Sequence, residues 1–436
     1  MKRYMALLSV PLLAGTLAAC GTAPGGAKTS SGPVTLWDTQ VAPYKNVIQS
    51  ETHAFNKANP KQPPVNPVWF SNNPYKQKLR IAMGSGNGPT IYMNFGGGIL
   101  DSYVKAGDAY NLSSALSNDP AWKSRFMPYV WSEVTFGGKI YGIPYTGSTP
   151  AFVFYNKSIF AKYGLSVPKT WPQFIHVISV LKAHGVTPIS LGGKDQWSYL
   201  YLTELISERL AGAAPYNAMV KGSSSVWGSH AMMADYTDIQ KLVKMGAFEP
   251  GFTEVGTNNN QAEQLFTQGH AAMQVLASWA YGRYQSVGSS TFMKHDLGWF
   301  RFPSMPGSGQ NSYDQVGLPA DYYSINPHAS KAQIKEAVSY LKHVALNSSE
   351  VKASLSKLGS VPGVAGVSSA IQTAPASSQS WLAYQNSQLK KAPVFEEAWD
   401  QALGPVHATA LLDNLSKLFA LQITPQQMAT NMEAVK

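Results

Sequence analysis

Cysteine is almost absent. The chain of 436 residues has one, Cys20, so it forms no internal disulfide and no cysteine-based zinc site. Charged residues are sparse at 13 %. The balance is nonetheless basic, +10, falling to +8 without Lys2 and Arg3. No Lys/Arg stripe alternates with aromatics and no long basic run exists. Nucleic acid is therefore excluded as a partner, and the excess reads as a solvated basic face. Catalytic signatures are missing too: no G-x-S-x-G elbow, no H-E-x-x-H, no G-x-x-x-x-G-K-[ST]. The nine His are scattered without metal spacing, and no calcium loop appears. Gly84-Ser85-Gly86-Asn87-Gly88 and Gly96-Gly97-Gly98 lack the spacing and the Lys of a phosphate cradle and read as turns. The carboxylate pairs Glu396-Glu397 and Glu204/Glu208 are of the kind a glycosidase uses; on helices they read as solvated.

What remains is a chain of ordinary apolar content, 44 %, rich in neutral hydrogen-bonding and aromatic side chains. Its length buries two cores rather than one. Lys2-Arg3 followed by the apolar run Met5–Leu17 is a signal peptide, too short to span a bilayer. Leu17-Ala18-Ala19-Cys20-Gly21 resembles a bacterial lipobox, which makes Cys20 the expected lipidation site. Thr22–Pro33, rich in Gly, Ala, Ser, Thr and Pro, lacks the apolar content to fold. It reads as a tether reaching at most ~40 Å.

From Val34 the pattern is strand, helix, strand, helix, strand, which is doubly wound α/β. The strands are Val34–Trp37, Val68–Phe70 and the run ending at Met93. The helices are Lys45–Asn59 and Tyr75–Met83, with Ser71–Pro74 as a loop. Glu133–Pro144 is a hairpin signal around Gly137-Gly138. Thr149–Phe154 is a strand at a crossover. Thr170-Trp171-Pro172-Gln173 is a capping box, opening a helix that runs to Gly185. Thr187–Leu191 is a strand and Tyr199–Leu210 a helix. Tyr313–Pro319 reads as irregular, Asp321–Ile325 as a strand crossing back, Lys331–Ala345 as a helix, and the remainder as helical.

The stretch Leu265–Trp279 organises the rest. Ala262, Leu265 and Phe266 share a helical face. Gly269 supplies a left-handed helix end. Ala271–Leu276 is a buried strand, and Ser278 caps a new helix with Trp279 in its first turn. Ligands of α/β sheets bind at the carboxyl ends of strands, which is where Trp279 stands.

The pattern F-x-x-G-x-A-A-M-x-x-x-x-x-W over Phe266–Trp279 resembles the signature of the family 1 extracellular solute-binding proteins, relatives of the maltose-binding protein. The segment Tyr155–Phe174 matches the family's other strong motif, and Gly359-Ser360-Val361-Pro362 is also usual there. Thr90 departs from the family's Pro-Asp at the third strand. The resemblance implies a type II periplasmic-binding-protein-like α/β fold, two doubly wound lobes joined by a multi-segment hinge. The expected division is 1–19 signal peptide, 20–33 lipidated Cys and tether, 34–149 plus 322–360 N-terminal lobe, and 150–321 plus 361–436 C-terminal lobe. It implies a monomeric lipoprotein on the outer face of the bacterial cytoplasmic membrane. That lipoprotein captures a sugar or oligosaccharide by hinge closure and delivers it to the permease subunits of an ABC importer, without cofactor or metal. The alternatives are a surface carbohydrate-active enzyme, or a receptor for a peptide or polyamine.

A sugar offers C–H faces to aromatic rings and hydroxyls to Asp, Asn and Gln. The expected ligand-binding residues follow. Trp279 is the main platform, because the family motif ends there. Trp197 and Asp195 lie in a loop carrying an acidic-aromatic cluster in sugar-binding relatives. Trp37 and Asp38 follow the first strand. Asp321 and Tyr322 stand at the return crossover. Trp227 lies in a Ser-rich loop, and Asn72, Asn94 and Tyr145 complete the set. Trp69, Trp122, Trp131, Trp171, Trp299, Trp381 and Trp399 are left as core or surface residues.

Overall fold

A computed structural model describes residues 32–306 and 313–436. The signal peptide, Cys20 and nearly all of the tether lie outside the described residues. The strands in chain order are β1 (Val34–Asp38), β2 (Val65–Trp69), β3 (Ile91–Asn94), β4 (Thr135–Phe136), β5 (Lys139–Ile140), β6 (Ile143–Pro144), β7 (Thr149–Asn156), β8 (Thr187–Ser190), β9 (Ala271–Ala277), β10 (Leu297–Phe300), β11 (Gln315–Leu318), β12 (Tyr322–Ile325) and β13 (Phe395–Glu397).

They make two sheets and a hairpin. The first sheet runs β2-β1-β3-β12-β6, with β1 parallel to β2 and β3, and β12 antiparallel to β3. The second runs β13-β11-β7-β9-β8, with β10 also on β7. Each sheet has its own apolar core. The chain passes from β6 in the first sheet to β7 in the second, and returns from β11 to β12. No helix among the described residues is long and apolar enough to cross a membrane.

The strand sequences explain the burial. Every residue of β3 and of β9 is buried, as expected where helices cover both faces of a sheet. The helix Tyr44–Ala58 buries Val47, Ile48, Thr52 and Phe55. The helix Trp171–Ala183 starts as expected, with the Thr170 amide donating to Gln173 Oε1 at 3.3 Å. Gly269, at φ 79°, ends the helix Gln261–Thr267.

Several expectations are corrected. Ser71–Pro74 is not a loop: the helix Asn72–Gly84 begins at Asn72, and Pro74 fits its first turn because an amide there needs no intrahelical acceptor. Trp279, not Ser278, holds the N-cap position of the helix Ala280–Val287. The Ser278 amide is held back by the Pro150 carbonyl at 2.9 Å, which continues the β7–β9 pairing. The segment expected to be irregular carries β11, buried throughout; Gly317, at φ 146°, lets it pass the Thr149 carbonyl. The helical tail contains β13, parallel to β11. That places Glu396 and Glu397 in a strand, each 1 % exposed, and Glu204 and Glu208 are buried at 0 %. None of the four is solvated. Gly96-Gly97-Gly98 is not a plain turn: Gly97 and Gly98 open the helix Gly97–Ala106. Finally, Val361, Val364, Val367, Ile371 and Ala374 pack into the first core, although 361–436 was expected with the second lobe.

At the crossover, Gly147 faces the Val361 carbonyl, and a Cβ there would also lie 2.6 Å from Pro362 Cα. Backbone cannot give way as a side-chain tip does. Gly147→Ala is expected to lower stability by about 1–3 kcal/mol, as overpacking does. Urea unfolding checks this; an unchanged midpoint contradicts the packing described.

Candidate functional site

A cavity of about 140 Å³ opens between the two sheets. From the first sheet's side come Gln40, Ser71, Asn72, Lys76 and Phe95. From the second come Trp197, Tyr201, Asn258, Trp279 and Arg283. Asp321, from the return crossover, and Asp400 complete the polar wall.

The aromatic side is a corner of three rings. Trp197 meets Trp279 edge-on at 5.9 Å and Tyr201 at 6.3 Å. The Trp279 indole N–H donates to the Tyr201 hydroxyl at 3.4 Å. Arg283 stands one helical turn after Trp279, and its guanidinium lies 4.3 Å from the ring centroid. The same guanidinium donates to the Thr257 carbonyl at 2.8 Å and to Glu263 at 3.3 Å. Arg283 therefore fixes the indole from a position that is itself anchored.

The polar side is a buried network. The Asp38 carboxylate accepts from the Gln40 amide at 2.7 Å and from the Tyr323 hydroxyl. Tyr323 stacks on Tyr145 at 3.9 Å. Gln40 then donates through Nε2 to Tyr145 at 3.2 Å and to Asp321 at 2.8 Å. Burial pushes Asp38 up to about 6, against the lowering pull of the Tyr323 bond. Burial and the neighbouring Asp38 charge push Asp321 up to about 7. The cations at the cavity are already engaged: Lys76 with Asp400 at 2.8 Å, Arg283 with Glu263. Among the described residues, no group of three His, Cys, Asp or Glu is arranged to hold a metal ion.

Of the residues expected to bind ligand, Trp279, Trp197, Asp321 and Asn72 line the cavity. The others do not, for identifiable reasons. Asp195 is spent on its own chain, accepting from the Thr257 and Asn258 amides and Asn258 Nδ2, each at 2.7 Å. It holds Asn258 at the wall. Asp38 and Tyr145 stand behind Gln40. Tyr322 is fully buried, donating to the Val130 carbonyl at 2.7 Å. Asn94 donates to Ser324 at 2.8 Å and accepts from the Gly96 amide at 3.0 Å. Trp37 leans on Phe70 at 4.8 Å. Trp227 is 2 % exposed and packs against Trp399.

Sequence reasoning missed Gln40, Lys76, Tyr201, Asn258, Arg283 and Asp400. Two of these carried a signal. Gln40 lies two residues beyond Asp38 at the same strand end, and Arg283 falls four residues after Trp279, on the same helical face. Asp400 has none, because its partner Lys76 is distant in the chain.

A family model described as bacterial extracellular solute-binding protein matches residues 38–349. A multiple sugar-binding protein of Streptococcus mutans is 23 % identical over 249 residues, 56 % of this chain and 55 % of that one. The fold of this chain matches a structure from work on xylan utilization by the thermophilic bacterium Caldanaerobius polysaccharolyticus, with TM-score 0.81 and 26 % identity, covering 92 % of this chain and 99 % of that one. A chitin oligosaccharide binding protein matches with TM-score 0.81 and 24 % identity, over 92 % and 97 % of the two chains. The chain spans 55 %, 60 % and 56 % of the length of the curated relatives it matches first.

The raised carboxyls give a sign for pH. The folded state keeps protons on Asp38 and Asp321 that the unfolded chain releases near the usual carboxylate value. Their contribution to stability is full below about pH 4 and is lost as pH rises through about 6 to 7. The ligand-free protein should therefore melt at a lower temperature at pH 8 than at pH 5, and Asp321→Asn should shrink that drop. Scanning calorimetry checks this; an equal drop in the variant contradicts the assignment.

Proposed function

We infer the function from one premise: the chain belongs to the bacterial extracellular solute-binding protein family. It is the substrate-binding component of an ABC importer, and its ligand is a neutral sugar or oligosaccharide. The observation that carries this reading is the wall chemistry. An aromatic corner of Trp197, Tyr201 and Trp279 faces Gln40, Asn72 and Asp321, while Lys76 and Arg283 are each engaged by a carboxylate. A polyol uses rings and neutral hydrogen-bonding groups; it has no need of a free charge.

The magnitudes agree. Covering about 100 Å² of a sugar face is worth roughly 2.5 kcal/mol, and a micromolar receptor needs about 8 kcal/mol. One platform plus several hydrogen bonds at ~1 kcal/mol each reaches that range. Contacts from both lobes are required, so capture is coupled to closure. The cavity, about 140 Å³, is below the ~300 Å³ where typical ligand pockets begin. A ligand longer than one or two rings must open the lobes further. The lobes are taken as 34–149 with 322–360 and 150–321 with 361–436, amended so that Val361–Ala374 moves with the first.

The reading includes a lipid anchor on Cys20, a monomeric state, a position outside the cytoplasmic membrane and docking on two permease subunits. A hydrolase is disfavoured. The glycosidase-like pairs Glu396-Glu397 and Glu204/Glu208 are buried and do not line the cavity. The relatives are named as binding proteins.

Two experiments test this. A thermal-shift screen of mono- and oligosaccharides should give a hit, and Trp279→Ala should weaken that sugar on the order of 50-fold, the loss of ~2.5 kcal/mol of stacking. An unchanged dissociation constant removes the platform. Cys20→Ala should move the protein from the membrane fraction to the soluble one; retention in the membrane contradicts the anchor.

A further inference from the structure

The two lobes also touch at a seam beside the cavity, where the three consecutive glycines lie. Gly96, at φ 91°, leaves no room for a side chain: a Cβ would lie 2.7 Å from Glu133 Cβ. At Gly97 a Cβ would overlap Glu397 Oε2 and lie 2.8 Å from the Gln401 carbonyl. At Gly98 it would lie 2.7 Å from the Leu403 carbonyl carbon. The glycines are what let the start of the helix Gly97–Ala106 seat against the segment 397–404. Glu133 precedes the β4–β5 hairpin and flanks the Gly96 end of this contact. Glu397 ends β13 and flanks it from the other lobe. Glu397 is 1 % exposed, and its side-chain oxygens find no donor among the described residues; the side chain they meet is the Glu133 carboxyl. A buried carboxyl without a donor is costly.

We propose that Glu397 and Glu133 form a proton-gated latch between the lobes, shut when one carboxyl is protonated and can donate to the other, sprung when both are ionised.

The surroundings fit. Facing Glu397 are Glu133 on the turn Pro128–Val134, Asp400 on the helix Trp399–Ala402, Glu204 on the helix Ser198–Ala211, Tyr216 on the helix Ala214–Val220 and Tyr322 on β12. The nearby cations are committed elsewhere: Lys76 bonds Asp400 at 2.8 Å, and Arg209 interacts with Asp314 and Glu396. The start of the helix Gly97–Ala106 favours an anion, but three carboxyls oppose it. Burial first, then Glu133, with Asp400 and Glu204 behind, hold the Glu397 carboxyl well above its usual range. A proton on Glu397 supplies the hydrogen bond that its oxygens lack; losing it leaves two negative charges pressed together across a seam only glycines can form. The closed form is thereby linked to proton binding. The receptor reading enters only here: if closure accompanies sugar capture, capture takes up a proton and tightens as pH falls.

Small-angle scattering of the purified ligand-free protein tests the latch without any sugar, so a failed sugar screen leaves it standing. The radius of gyration should decrease from the alkaline end to the acid end of a pH series. Glu397→Gln should keep the compact value at both, because the amide can donate without titrating. Glu133→Gln, at a half-buried position, should do the same and carries the test if Glu397→Gln does not fold. Asp119→Asn, on the exposed face of the first lobe away from both cavity and seam, should retain the wild-type change. The proposal is overturned if the wild-type radius does not respond to pH, or if both Gln variants follow the wild-type curve.

Discussion

The Gln40 side chain ties the hinge to the cavity. It reaches Asp321 and Tyr145 through one amide nitrogen, while Asp38 holds its backbone. Asp38 ends β1, Tyr145 follows β6 and Asp321 precedes β12, so three separate passes of the chain meet at one side chain. Two of those passes are the points where the chain changes sheets. Any movement of one lobe against the other works against this network. Its carboxyls are buried without a cation among their hydrogen-bond partners, which favours their protonated forms and gives the hinge a sensitivity to pH.

The opposite wall obeys a different constraint. Trp279 is placed by register: β9 is buried along its whole length, Ser278 stays tied to Pro150, and the indole emerges at the first position the sheet leaves free. Arg283 then fixes the ring, and Trp197 and Tyr201 close the corner. Asp195 contributes by positioning Asn258 and the 257–258 turn. The cavity therefore combines one rigid aromatic wall with one polar wall mounted on the hinge. That combination suits a ligand with apolar faces and hydroxyl edges, and it makes the fit depend on how far the lobes close.

Much of the fold was legible because it rests on local rules. The capping box at Thr170, the left-handed Gly269, the apolar run of β9 and the hairpin around Gly137-Gly138 each follow from neighbouring residues. β11 and β13 were not legible. They are short and buried, they lack alternation, and Gly317 at φ 146° exists for a close pass of distant backbone. The same reason hid the role of Gly97-Gly98, whose partners Glu397 and Ala402 lie some 300 residues away in the chain. At the site, residues at strand ends were easy to nominate, but their orientation was not. Trp37, Asp38, Asn94, Tyr145 and Tyr322 all stand at such ends, yet each turns into a neighbour, and only tertiary packing decides that. Arg283 is recoverable from helical spacing; Asp400, on the short helix Trp399–Ala402, is not, because only tertiary packing brings it to Lys76.

The central claim is that a sugar ring lies in the corner formed by Trp197, Tyr201 and Trp279 while its hydroxyls meet Gln40 and Asp321. A crystal structure with a sugar bound in the screen tests it most directly. The account predicts a pyranose face against the Trp279 indole, on the side away from Arg283, with a hydroxyl within hydrogen-bond distance of Asp321. A sugar found elsewhere on the molecule, or in the cavity with Trp279 untouched, would contradict it.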